Sequence, residues 1–279
     1  MKRTDVIALV FEIARLEDAF DILEREFARI TKDELSSNLL ECGIIPELFG
    51  HDSSEEKLWA KYCDILLALT FTHLSIPAEV LRARGDSADV FGRTRNYSIV
   101  GDAKAFRLSR SAKNQKDFKV QALDDWRKSN TFACLVSPLY QYPRRGSQIY
   151  EQAIGRNVTL FSYIHLKFLL DYINGQNLDP LWRIGNGLPT SKSAQQYWEA
   201  IDKTVCQIAG KNEETLSGYK QKAVGTVKQL GKEGIDYWEA RIAEYRKLSQ
   251  KEAVARLIKA EKVENKILTI KKAIDIVQP

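Results

Sequence analysis

The part of this chain whose residue types and spacing point most directly to chemistry is Asp102-Ala103-Lys104. It lies in Tyr97-Ser98-Ile99-Val100-Gly101-Asp102-Ala103-Lys104-Ala105, where small and β-branched residues without helical spacing predict a strand or hairpin. Side chains alternate across a strand, so a carboxylate and an ammonium two residues apart point to the same side. Asp89, inside the turn-rich GDSADVFGRTRN and separated from Asp102 by twelve residues, brings a second carboxylate from a neighbouring strand or turn. These two carboxylates, the backbone carbonyl of Ala103 and a phosphate oxygen form an oxygen cage for one or two Mg²⁺ ions. Lys104 then orients or helps deprotonate an attacking water. The chemistry implied is metal-dependent hydrolysis of a phosphodiester.

Asp/Glu-x-Lys also occurs at Glu55, Asp117 and Glu264, so context has to choose among them. Glu55 and Glu264 sit in helical patterns and read as solvent-facing charges. Asp117-Phe118-Lys119 has Asp102 as an upstream acid, but Asn114 to Trp126 has helical spacing, and on a helix residues two apart diverge. Glu56, in the first turn of a helix capped by Ser53 or Ser54, is a third candidate carboxylate for the metal cage, against the usual dipole or capping role of such a residue. Lys104, Arg107, Arg110, Lys113, Lys116 and Lys119 recur at every third position, a density that offers cations to a phosphate track or forms a solvated face.

The elements that must position these residues follow from periodicity. Val6, Leu9, Ile13, Leu16, Phe20, Leu23, Phe27 and Ile30 form an apolar seam that predicts one long N-terminal helix, packed on its own domain in preference to an intermolecular coiled coil. A second helix follows Ser53-Ser54 through Leu58, Cys63, Leu66 and Leu67. Phe132-Ala133-Cys134-Leu135-Val136 and Val158-Thr159-Leu160-Phe161 read as buried strands, giving an α/β layer. Turn formers concentrate between Asn174 and Ser193, and beyond them the predicted helices are Ala194–Ile208, Glu214–Leu230, Tyr237–Leu248 and Lys251–Ile274 with a break. The organisation expected is an N-terminal helical segment (1–36), a catalytic core (37–175) and a helical C-terminal region packed on the core (176–279).

Composition bounds the alternatives. With 279 residues, 44% hydrophobic and 28% charged, the chain can bury a core unaided, which argues against disorder, collagen or a membrane channel. A net charge of +5 is too modest to establish nucleic-acid binding without the local clustering above. Cys42, Cys63, Cys134 and Cys206 are scattered, and only three histidines accompany them, so neither zinc nor disulfides are expected. His51, His73 and His165 read as structural, and Gly185-Asn186-Gly187 as a turn. No apolar run approaches the roughly 20 residues of a membrane span, so a cytoplasmic protein is expected.

GDAKAFRLSRSAKNQKDFKVQAL resembles very closely the catalytic segment of the HindIII type II restriction endonuclease family. The likeness extends through SSEEKLWAKYCDILLA, RGDSADV, QYPRRGSQIYEQ and NVTLFSYIHL, covers Cys42 to Leu166 almost continuously, and thins to DYWEARI and KEAVARLIK near the C-terminus. The resemblance implies the PD-(D/E)xK fold, a mixed sheet flanked by helices, and a homodimer whose contact comes from the N-terminal seam or the C-terminal helices. It further implies Mg²⁺-dependent cleavage of the double-stranded palindrome AAGCTT after its first A, with 5′ overhangs, in a bacterial cytoplasm beside a cognate DNA methyltransferase. Carried over residue by residue, Asp89 and Asp102 are the metal ligands, Lys104 is the catalytic lysine, and Glu56 stands on the supporting helix. Ala88 replaces the proline of the generic motif. Ser87, Ala88, Asn114, Lys116, Asp117 and Lys119 would approach the major groove, while Arg144 and Arg145 are more basic than the family pattern. The resemblance is weighed against a structure-selective nuclease of the same fold and a non-enzymatic basic DNA-binding protein.

Overall fold

The computed structural model describes residues 1–82, 87–110 and 115–277. Helices α1 (Arg3–Ile13), α2 (Ala19–Phe27) and α3 (Lys32–Asn38) precede the 20-residue α4 (Ser54–His73), whose N-terminus is capped by Ser53 Oγ accepting from the Glu56 N–H. Five strands follow: β1 (Ala78–Val80), β2 (Val90–Arg93), β3 (Ser98–Ala103), β4 (Phe132–Ser137) and β5 (Val158–Ser162). They form one mixed sheet in the order β1-β2-β3-β4-β5, antiparallel from β1 to β3 and parallel from β3 to β5. The two parallel crossovers run through α5 (Gln115–Phe118) with α6 (Val120–Arg127) and through α7 (Gln148–Arg156). Every residue of β3, β4 and β5 is buried, as expected of strands covered on both faces, and this explains their continuous apolar runs.

Helix α4 lies across β1, β2 and β3. The approach is close at Gly101, where a Cβ would stand 3.0 Å from Leu67 Cδ2 and 3.5 Å from Val90 Cβ. Side chains three apart share a helix face. Asp64 lies on the same face of α4 as Leu67, one turn earlier, and its carboxylate reaches Asp102 at the end of β3.

The predicted long N-terminal helix is two helices. The chain turns at 14–18, leaving Leu16, midway along the seam, 50% exposed, while Val6, Val10, Ile13, Ala19, Leu23 and Phe27 are buried. An unbroken helix of that length would extend to about 38 Å at 1.5 Å per residue, beyond the roughly 30 Å of α4. Turning lets both halves pack on α4, with the Phe27 and Tyr62 rings 4.9 Å apart. The seam thus belongs to the protein's own core.

After β5 come α8 (Tyr163–Tyr172), the short α9 (Asp179–Trp182), α10 (Ala194–Ala209), α11 (Glu213–Arg246), α12 (Gln250–Ala260) and α13 (Val263–Val277). Helix α11 runs through Gly231 and Gly234, where two helices were predicted; a glycine costs a helix only about 1 kcal/mol and does not by itself stop it. The chain divides into two compact units, Met1–Gly231 and Lys232–Pro279. The first holds the sheet and the core. In the second, no described residue is buried, and Ile235, Trp238, Ile242 and Tyr245 are 45–60% exposed. Among the described residues no helix is long and apolar enough to cross a membrane.

Candidate active site

Strand alternation sets the first pair. The Lys104 ammonium stands 2.6 Å from Asp102 Oδ2, and the lysine's backbone is pinned on both sides, its N–H donating to Val136 O (2.8 Å) and its carbonyl accepting from Tyr163 OH (3.0 Å). The Asp89 N–H donates to Gly101 O at 3.2 Å, extending the β2–β3 pairing by a step and setting Asp89 beside Asp102. Ala103 closes β3 between Asp102 and Lys104.

The third carboxylate is Asp64 of α4. Ligand oxygens of Asp64, Asp89 and Asp102 lie within 4.8 Å of one another. The side chains of Asp64 and Asp102 are 4% and 1% exposed, whereas Asp89 is open at 33%. Lys61, one turn before Asp64, places its ammonium 3.0 Å from Asp64 Oδ2 and 2.5 Å from Asp89 Oδ1. Burial and the neighbouring carboxylates push Asp64 well above the usual carboxylate range against the pull of Lys61. Burial likewise raises Asp102, opposed by Lys104. Burial works against the charge on Lys61, yet Asp64 and Asp89 lift it to about 12; the same opposition, with Asp102 as its main partner, raises Lys104. Both lysines are ammonium ions in this setting.

The donor set fits a hard divalent cation, since three carboxylates supply only oxygen. Asp102 Oδ2 is buried, and the Lys104 ammonium at 2.6 Å is the cation that faces it. A buried carboxylate oxygen is costly unless a cation shares it.

Glu56, proposed from the sequence for this cage, is held elsewhere. It precedes Asp64 by eight residues, about 12 Å along the helix axis. Its carboxylate accepts from the Asp52 N–H (2.6 Å) and Arg107 Nε (3.1 Å), and His51 Nδ1 lies at 3.4 Å. These contacts lower its pKa despite partial burial. Arg107, assigned to the phosphate track, is only 11% exposed and also donates to the carbonyls of Pro46, Glu47 and Gly50. It clamps the loop before α4. The signal for Asp64 was present in the sequence, a lone acid inside the apolar run Cys63-Asp64-Ile65-Leu66-Leu67.

The remaining groove candidates divide. Arg110 is 60% exposed and pairs with Asp117 at 3.2 Å. Lys119 is exposed, with a left-handed backbone (φ 45°) that separates α5 from α6, and its charge reaches Asp102. Lys116 lies on α5. Ser87 is half-buried and Ala88 buried, next to Asp89, while Lys113 and Asn114 fall outside the described residues. Arg144 and Arg145 are exposed. A second constellation has the geometry of a nucleophile relay: Ser162 Oγ is 2.7 Å from His165 Nδ1, and His165 Nε2 is 2.8 Å from Asp202 Oδ1. Ser162 and His165 are fully buried, so no substrate reaches them, and the relay is structural.

Compared with known proteins, residues 12–274 match the model of the HindIII restriction endonuclease family. The type II restriction enzyme HindIII of Haemophilus influenzae is 33% identical over 252 residues, which cover 87% of this chain and 84% of that protein.

Proposed function

Because the chain belongs to the HindIII restriction endonuclease family, we propose that it cuts double-stranded DNA at the palindrome AAGCTT, after the first A of each strand, using Mg²⁺ and leaving 5′ overhangs. Its fold and kinship make it a site-specific deoxyribonuclease. The observation that carries the catalytic reading is the meeting of Asp64, Asp89 and Asp102 with Lys104 at one end of the β2–β3 pair.

Each residue then has a task. Asp89 and Asp102, with Asp64 from α4, hold the metal, which supplies positive charge against the charge developing on the scissile phosphate. Lys104, fixed by its backbone bonds, donates to the attacking water and holds it in line. The Ala103 carbonyl would complete the oxygen set. Arg110 and Lys119, both exposed, meet phosphates, with Lys113 and Lys116 extending that track. Ser87, Asn114, Lys116, Asp117 and Lys119 approach the groove edges, whereas Ala88, expected among them, is buried and set back from the surface. Glu56 and Arg107 support the site by fixing the start of α4.

A palindrome calls for two-fold symmetry, hence a homodimer. Burial of the N-terminal seam in its own core favours the C-terminal helices as the contact. There Ile235, Trp238, Ile242 and Tyr245 recur at three- and four-residue steps, the spacing with which helices pair. A cognate methyltransferase protects the host's own sites in the bacterial cytoplasm.

The test is digestion of long unmethylated DNA of known sequence, with and without Mg²⁺, followed by sequencing of the product ends. Discrete Mg²⁺-dependent fragments ending within AAGCTT are expected. Random ends would remove the recognition claim, and intact DNA would remove the nuclease.

A further inference from the structure

Two lysines face the three carboxylates, and they are held differently. Lys104 follows Asp102 on the same chain segment, with its backbone bonded on both sides. Lys61 reaches in from α4 on a flexible four-carbon stem, its side chain 37% exposed, and touches Asp64, one turn further along the same helix, and Asp89, next to the sheet. With all three carboxylates ionised, as metal ligation requires, they and the two ammoniums sum to −1. A divalent cation added with both lysines in place would bring the group to +1 and set like charges within a few ångströms of each other. Withdrawal of one ammonium restores neutrality, and Lys61 is the one whose attachment permits it. The carboxylates it covers, those of Asp64 and Asp89, belong to the donor set the metal needs.

We infer that Lys61 is an exchangeable internal counter-ion: its ammonium holds Asp64 and Asp89 in the metal-free protein and gives way when a divalent cation binds. The inference rests on the reading of Asp64, Asp89 and Asp102 as the metal-binding carboxylates. Two consequences follow. Without metal, Lys61 keeps the buried acids from repelling one another. With metal, its displacement raises the cation concentration needed to load the site, because apparent affinity falls by the fraction of time the acids are free.

The test is calorimetric titration of Mn²⁺ into the full-length protein without DNA, for the wild type, Lys61→Met and Lys61→Arg, with folding checked by circular dichroism. Lys61→Met, which keeps the stem and removes the charge, is expected to bind Mn²⁺ about tenfold more tightly, and Lys61→Arg to stay within about threefold of wild type. Saturating Mn²⁺ should also raise the melting temperature more in Lys61→Met than in wild type. Where Lys61→Met does not fold, Lys61→Gln carries the same expectation. Unchanged or weaker binding by the folded neutral variant would overturn the counter-ion role. Failure of the underlying site reading looks different: Asp102→Asn would then leave Mn²⁺ affinity unaltered, or wild type would bind no Mn²⁺ at all.

Discussion

Helix α4 delivers one acid to each of two acidic groups. Glu56, in its first turn, joins His51 and Asp52 at the surface; Asp64, two turns later, joins Asp89 and Asp102 against the sheet. In the first group Glu56 is tied by hydrogen bonds to Arg107 and to backbone, while His51 and Asp52 stand in solvent, where water screens their charge. The second sets three carboxylates against two lysines, is largely buried and has one open face at Asp89. The difference teaches that number and closeness of acids do not make a metal site. What matters is whether the protein has left their charge unspent.

Substitutions in the two groups should therefore behave differently. The largest effect is expected from Asp102→Asn, which should lower cleavage by about 10³-fold, the upper range for removing one preorganised charge-stabilising group, with the fold retained. Near-normal turnover would break the comparison. Asp64→Asn should cost about 10²-fold in cleavage and weaken Mn²⁺ binding measured by calorimetry. If it leaves metal binding intact, Asp64 is only a core acid.

Glu56→Gln should keep cleavage and its Mg²⁺ dependence within a few-fold, yet lose about 1–3 kcal/mol of stability as Arg107 loses its charged partner. Thermal melting checks the loss, and a selective loss of metal binding would return Glu56 to the cage. The smallest effect is in acid titration of stability without metal, and it has opposite signs. Glu56 titrates below its ordinary value, so its contribution is present above about 4.5 and is lost as pH falls toward its lower folded value. Asp64 titrates above its ordinary value, so the folded form takes up its proton first, and acidification relieves a penalty present at neutral pH. Glu56→Gln should flatten the acid loss of stability, and Asp64→Asn should steepen it.

Much of the frame was legible. Buried strands at Phe132–Ser137 and Val158–Ser162 and the cap at Ser53 follow from apolar runs and local hydrogen-bonding chemistry. The N-terminal seam read as one helix because periodicity records which face is apolar, not whether the segment folds back on its partner. Glu56 was read as the third carboxylate because a first-turn acid is conspicuous, whereas Asp64 hides in an apolar run whose burial only the packed helix reveals. Arg107 belonged to a basic series in sequence, but the loop before α4 surrounds it with carbonyls.

The sequence by itself determined that Asp102 and Lys104 share one side of a strand, since that relation is local and follows from the two-residue repeat of extended backbone. Tertiary structure alone decided which helix acid and which second lysine join them. Lys61 and Asp64 reach the cluster because α4 packs closely over Gly101, and a contact between distant segments is set by that packing, which no local spacing encodes.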